Sequence, residues 1–116
     1  MKILNLYEDE EGISHFREIE MEWKEQLHTI QTTERIPATG VYFIESPADY
    51  EYDWHTAPRR QFIINLDAAV RITAGDGETR EIGIGQVLLV EDTQGQGHVS
   101  KVVGNKIRHA AFIALD

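Results

Sequence analysis

Alternation of apolar and polar residues marks most of the chain as β-strand. In residues 16–23 (FREIEMEW), Ile19, Met21 and Trp23 fall on one face and three glutamates fall on the other. Side chains alternate across a strand, so this pattern predicts an antiparallel strand with one face in solvent. Further strand-like runs lie at residues 40–46, 50–55, 61–66, 69–74, 79–82, 86–90, 98–103 and 107–115.

Turn residues separate these runs at close intervals. The tripeptide at residues 75–77 (GDG) is a strong hairpin signal, because tight turns need the positive φ angles that suit glycine. Residues 83–85 (GIG) and 104–105 (GN) mark two further turns. Residues 26–39 lack clear periodicity and are expected to connect strands, and only residues 23–29 could form a turn or two of helix. Eight to ten short strands with such turns predict an all-β sandwich or barrel.

Length, charge and cysteine content narrow the class of protein. With 116 residues, the chain has room for one domain, residues 1–116, and one core. Its net charge of −9 would repel a phosphate backbone, so nucleic acid is not expected as a partner. With no cysteine, any bound metal would need nitrogen and oxygen ligands. No secretory signal and no apolar run long enough for a bilayer is present, which predicts a cytoplasmic protein without a membrane partner.

The densest polar chemistry lies in residues 54–61 (WHTAPRRQ), between apolar strands. On a regular strand His55 and Ala57 point to the same face, and Gln61 returns to that face on the next strand. A histidine and an amide among apolar strands would form the polar spot of a small-molecule cavity. A second polar spot ends at His98, where two preceding glycines let the loop fold back and present the imidazole inward.

This order of residues resembles the two-motif pattern of the cupin superfamily. The first cupin motif is two histidines separated by one residue, then a glutamate and a glycine; the second is a Gly-Asp, a loop with proline and a histidine. His55 matches the first histidine and His98 the last, and the match spans about residues 49–102. Residues 54–61 and 91–98 (EDTQGQGH) are similar to a pattern of small, single-domain bacterial cupins. The resemblance implies a cupin-type double-stranded β-helix, which is a jelly-roll barrel.

Four motif positions depart from the cupin pattern and weaken its metal site. Ala57 replaces the second histidine, Gln61 the glutamate, Ala68 the glycine and Gln86 the aspartate of Gly-Asp. The implied metal ligands are thereby reduced to His55, His98 and Gln61. A neutral amide is a poor ligand for a divalent transition metal. A weakly held Zn, Ni or Fe and a metal-free polar pocket therefore both stay open.

Other residues near the motif are candidates for ligand contact. Arg59 could clamp a carboxylate, because a guanidinium is a rigid fork of donors. Tyr42 and Tyr52 could line the pocket with Gln61, although barrel cores use the same residue types. Trp54 should face away from His55, which favours a subunit contact and a homodimer. The three remaining histidines, at positions 15, 28 and 109, are assigned to structural or surface roles.

Three functions fit these candidates. The first is binding of a small organic molecule, with an acidic ligand suggested by the arginines. The second is a metal-dependent dioxygenase or isomerase, as the cupin resemblance implies. The third is a metal-free epimerase or isomerase, with His55 as the catalytic base and Tyr42 or Tyr52 as the acid. The sequence does not identify the substrate.

Overall fold

The strands of this all-β chain are short and follow one another closely. The computed structural model describes residues 1–116 and contains twelve strands and no helix. The strands are β1 (Lys2–Glu8), β2 (Ser14–Glu20), β3 (Trp23–Leu27), β4 (Ile30–Thr33), β5 (Gly40–Ser46), β6 (Glu51–His55), β7 (Gln61–Asn65), β8 (Val70–Thr73), β9 (Thr79–Ile82), β10 (Val87–Val90), β11 (His98–Val102) and β12 (Arg108–Ala114). The prediction of an all-β protein is confirmed.

Three sheets organise these strands. A six-stranded sheet has the order β2-β1-β10-β7-β12-β5, and a four-stranded sheet has the order β6-β11-β8-β9. Strands β1 and β10 are parallel, and every other neighbouring pair is antiparallel. The third sheet is the hairpin β3-β4. The sheets are hydrogen-bonded separately and do not close into a barrel.

The core lies between the inner faces of the two larger sheets. Strand alternation turns Leu88 and Val90 of β10 inward, opposite Val70 and Ile72 of β8. Burying such a side chain contributes about 1.5–3 kcal/mol, so these positions hold the sheets face to face. The full buried cluster also contains Leu6, Phe16, Ala57, Ile63, Ala74, Ile82 and Ala110.

The segment before β5 differs from the sequence-based expectation. Residues 23–29 are not helical and residues 26–39 are not only a connection, because Trp23–Leu27 and Ile30–Thr33 pair as a hairpin. Its turn places His28 at φ 59°, a conformation that glycine or asparagine would have signalled in the sequence. The strand predicted at residues 16–23 ends at Glu20, so Trp23 belongs to the exposed hairpin instead.

No segment of the chain forms a helix of the length and apolarity that crossing a membrane would require.

Candidate functional site

A cavity of about 530 Å³ opens between the two larger sheets, next to the core. This volume lies within the range of small-molecule pockets. Its apolar lining includes Ile44, Ile63, Ile72 and Phe112. The polar residues that line it are His55, Gln61, His98, Ser100 and Arg108, together with Glu45, Ser46, Tyr50, Tyr52 and Thr56. The cavity therefore combines apolar walls with a few placed polar groups.

His55 and His98 form a pair of imidazoles at one end of this cavity. They are directly opposite each other on the antiparallel strands β6 and β11. Their ring centroids are 4.4 Å apart, with the planes tilted by 57°. The ring of Tyr52 stacks on His55 at 3.7 Å, nearly parallel. The strand register thus brings together the two histidines that the sequence placed 43 positions apart.

Gly97 permits this close approach of the two strands. Its φ is +81°, in the left-handed region that favours glycine. A Cβ atom at this position would overlap the backbone carbonyl of His55. Both the backbone conformation and the lack of space for a Cβ therefore require glycine before His98, as the sequence predicted for this loop.

Each imidazole is anchored through its Nδ1 atom. His55 Nδ1 donates to the backbone carbonyl of Asp53 at 2.7 Å. His98 Nδ1 donates to Oδ2 of Asp92 at 2.5 Å, and Asp92 is completely buried. Neither Nε2 atom has a hydrogen-bond partner within the protein. The Nδ1 contacts therefore fix both rings and leave Nε2 as the group offered to a ligand.

Burial lowers the pKa of His55 below its usual value. The hydrogen bond to the Asp53 carbonyl opposes this shift, whereas the charge of His98 lowers the pKa further. Desolvation disfavours the charged imidazole, so the ring of His55 is neutral at pH 7. Its Nε2 then carries a lone pair that can accept a hydrogen bond, bind a metal or take up a proton.

Gln61, Tyr42 and Arg59 form a hydrogen-bonded chain beside the cavity. The Tyr42 hydroxyl donates to Gln61 Oε1 at 2.9 Å, and Arg59 Nη1 donates to the Tyr42 oxygen at 3.1 Å. Gln61 and Tyr52 line the cavity, but Tyr42 and Arg59 do not. Tyr42 and Arg59 therefore position Gln61, and neither is placed to touch a ligand in the cavity directly.

The remaining candidates lie outside the cavity. Arg60 bonds to Glu91 at 2.9 Å and to Asp116 at 3.1 Å. Trp54 is exposed and does not line the cavity, in keeping with its predicted outward orientation. His15 is held between Asp9 and Asp76, and His109 between Asp67 and Glu45.

The side chains at this cavity meet the requirements of a metal site only in part. His55 and His98 each offer a free Nε2 and an anchored Nδ1, as metal-ligating histidines do. Gln61 Oε1 already accepts a hydrogen bond from Tyr42, and Asp92 Oδ2 already accepts one from His98. No group of three or more His, Asp or Glu side chains is arranged to hold a metal. The donor set falls short of the three protein ligands of a catalytic zinc site.

Sequence reasoning missed Arg108, Ser46 and the role of Asp92. Arg108 lies on β12 on the same face as Ala110 and Phe112, and it is buried at the cavity wall. That alternation is visible in residues 107–115 (IRHAAFIAL), so an inward arginine could have been predicted. For Ser46 and Asp92 no comparable signal exists, because their importance comes from contacts across the fold.

No protein-family model matches the chain, and no curated protein matches it in sequence. Among solved structures it is similar to protein NMB1881 from Neisseria meningitidis, with a TM-score of 0.49. The two are 14% identical, over 79% of this chain and 100% of that chain. What the cavity binds therefore has to follow from the chemistry of its own residues.

Proposed function

We propose that this protein is a small-molecule-binding protein of the cupin type, whose ligand lies against the imidazoles of His55 and His98. The observation that carries the proposal is the pair of unpartnered Nε2 atoms at the wall of a largely apolar cavity. Polar groups placed in this way fix the orientation of a ligand, while apolar walls provide affinity. The pairing of the first histidine of one cupin motif with the last histidine of the other supports the jelly-roll assignment.

Ligand screening combined with NMR tests this function. Small organic compounds that raise the melting temperature would be titrated into the protein while the histidine ring resonances are followed. We expect such compounds to shift the His55 and His98 resonances. His55→Phe should lower their binding affinity at least about tenfold, because one hydrogen bond in a dry site is lost. His109→Phe is the matched control, since His109 lies outside the cavity. Compounds insensitive to His55→Phe would contradict the proposal.

A divalent metal at the same imidazoles is a second candidate. The anchored Nδ1 atoms of His55 and His98 favour it, since they leave both Nε2 lone pairs free for Zn, Ni or Fe. Gln61 would be the third ligand only if its Oε1 left the Tyr42 hydroxyl. Such a metal would act as a Lewis acid or a ligand anchor at this end of the cavity. Calorimetric titration of the metal-free protein with Zn²⁺, repeated on His55→Ala, tests it.

We propose that the protein pairs with a second copy of itself. Strand β5 is an edge strand of the six-stranded sheet, and its outer side chains Val41 and Phe43 are 59% and 72% exposed. An exposed edge with apolar side chains is a template for pairing with another strand. We propose that β5 contributes to a homodimer.

A further inference from the structure

The end of the cavity away from the imidazoles contains a buried positive charge. Arg108 on β12 is 4% exposed and lines the cavity. Its Nε donates to Oδ1 of Asn65 at 2.8 Å, and its terminal nitrogens have no protein partner. No carboxylate lies within salt-bridge distance of the guanidinium. A buried charge is normally paired, because leaving water without a counter-charge is unfavourable.

The carboxylates of Asp67 and Glu45 both bond to His109 and not to Arg108. Asp67 accepts from the backbone N–H and the ring of His109, and Glu45 accepts from the other ring nitrogen of His109. His109 follows Arg108 on β12 and points to the opposite face of the strand. Glu45 also lines the cavity, but its carboxylate, like that of Asp67, is bonded to His109, and neither forms an ion pair with Arg108, whose guanidinium lies on the inner face of the sheet.

Hydroxyl donors without acceptors surround the same position. Ser46 lies opposite Arg108 in the register of β5 and β12, and its hydroxyl is buried with no hydrogen-bond partner. Tyr50 and Ser100 share one hydrogen bond of 3.2 Å, which leaves one of their two protons free. All four residues line the cavity. Buried hydroxyls are normally satisfied, so this group of donors lacks an acceptor.

We propose that Arg108 and Ser46 bind the carboxylate of a small organic acid with an apolar body, whose far end presents a polar group to Nε2 of His55 and His98. One guanidinium fits a carboxylate, since two of its N–H groups match the two oxygens in a planar fork. A phosphate dianion would need more positive charge than one arginine provides. The apolar walls at Ile63 and Ile72 suit the body of such a ligand. This inference rests on the proposed binding function.

Strand geometry sets the length of the ligand. His98 and Ser100 are alternate residues of β11, about 7 Å apart, and Ser100 belongs to the donor group around Arg108. An acid that reaches both ends needs a body of about five or six carbon atoms or one aromatic ring at this spacing. 6-Hydroxyhexanoate and 3-(4-hydroxyphenyl)propanoate meet this requirement and carry a hydroxyl for the imidazoles, and their primary amides are neutral controls of the same shape.

Calorimetric and NMR titration with these two acids and their amides tests the inference. We expect the wild-type protein to bind the acids more tightly than the amides by about 10- to 100-fold, as hydrogen bonds to a charged group imply. Arg108→Gln should weaken the acids by about 10- to 100-fold and thereby remove their preference over the amides. Ser46→Ala deletes an unpartnered hydroxyl, so it should fold normally and still weaken only the acids.

The outcomes separate this inference from the function on which it rests. If acids and amides bind equally well, or if Arg108→Gln keeps the preference for acids, the carboxylate site is wrong while the binding function stands. If a library finds ligands at the imidazoles but none of them is an acid, the carboxylate site is again wrong. If neither acids nor any other compounds bind in the cavity, both proposals fail.

Discussion

His55 and His98 face each other across strands β6 and β11, with ring centroids 4.4 Å apart and Nδ1 anchored on each. One anchor is a backbone carbonyl and the other is a buried carboxylate, so the two rings differ in their electrostatic surroundings. Burial lowers the pKa of His55 below its usual value, whereas the ring of His98 is bonded to the buried carboxylate of Asp92. The two imidazoles therefore present their Nε2 atoms to a ligand from two different surroundings.

The titration of His55 should reflect this environment. Because burial and the charge of His98 lower its pKa, we expect its ring resonances to titrate with a midpoint below the usual value of about 6.5. The unfolded chain then takes up the proton at higher pH than the folded chain does. His55 therefore destabilises the fold as the pH falls from the unfolded pKa towards the folded one. An NMR midpoint above 6.5 in the free protein would be incompatible with a buried His55.

The histidine network on the outer face should show the opposite dependence. The pKa of His109 is raised, first by Asp67 and then by Glu45. Its contribution to stability is fully present below the unfolded pKa and is lost as the pH rises through the folded pKa. Urea unfolding of wild type and His109→Phe should differ more at pH 6 than at pH 9. An equal difference at both values would show that the carboxylates do not act on the charged ring.

Replacement of Gly97 should disrupt the approach of β11 to His55. Gly97→Ala combines a positive φ with overlap of the His55 carbonyl. Gly77→Ala is the matched control, since its φ of +93° is also positive but its Cβ would point into open space. We expect the control to lower the free energy of unfolding by about 1–2 kcal/mol. The Gly97 variant should lose more free energy of unfolding than the control. Equal losses in urea titrations would mean that the loop shifts to make room for the Cβ.

Much of the fold and part of the site follow from the sequence. Apolar alternation with glycine turns identified the β-strands from β5 onward, and His55, Gln61 and His98 do line one cavity. The hairpin β3-β4 was missed because its turn at His28 lacks the glycine that usually marks a positive φ.

Arg108 was missed for a different reason. Surface positions are the ordinary place for an arginine, so only the alternation of β12 indicates a buried one. The unpaired state of its guanidinium and of the Ser46 hydroxyl depends on which groups are not nearby, and no local pattern encodes that.

The buried carboxylate of Asp92 should matter for any metal that the imidazoles hold. Asp92→Asn removes the charge behind His98 but retains an oxygen that can accept from Nδ1. Loss of such an outer partner typically weakens metal affinity about 10- to 100-fold. Calorimetric titration with Zn²⁺ measures it, with Asp76→Asn as a control because Asp76 bonds to the His15 ring and the Glu78 backbone N–H and does not line the cavity. Unchanged affinity in Asp92→Asn would place the metal elsewhere.

Association through β5 is open to direct measurement. Phe43→Lys puts a charge on the exposed edge strand, where it opposes pairing with a second copy. We expect light scattering after size-exclusion chromatography to give a dimer for wild type and a monomer for the variant. Ile84→Lys, at an exposed apolar position away from β5, should stay dimeric. A wild-type monomer at high concentration would contradict the homodimer.

The central claim is that a small organic molecule occupies the cavity between the His55–His98 pair and Arg108. A crystal structure grown with 3-(4-hydroxyphenyl)propanoate tests it most directly. We predict ligand density inside the cavity, with the carboxylate at Arg108 and Ser46 and the phenol hydroxyl at Nε2 of His55 or His98. Density for ordered water alone in the cavity, with the acid bound elsewhere or not at all, would contradict the claim.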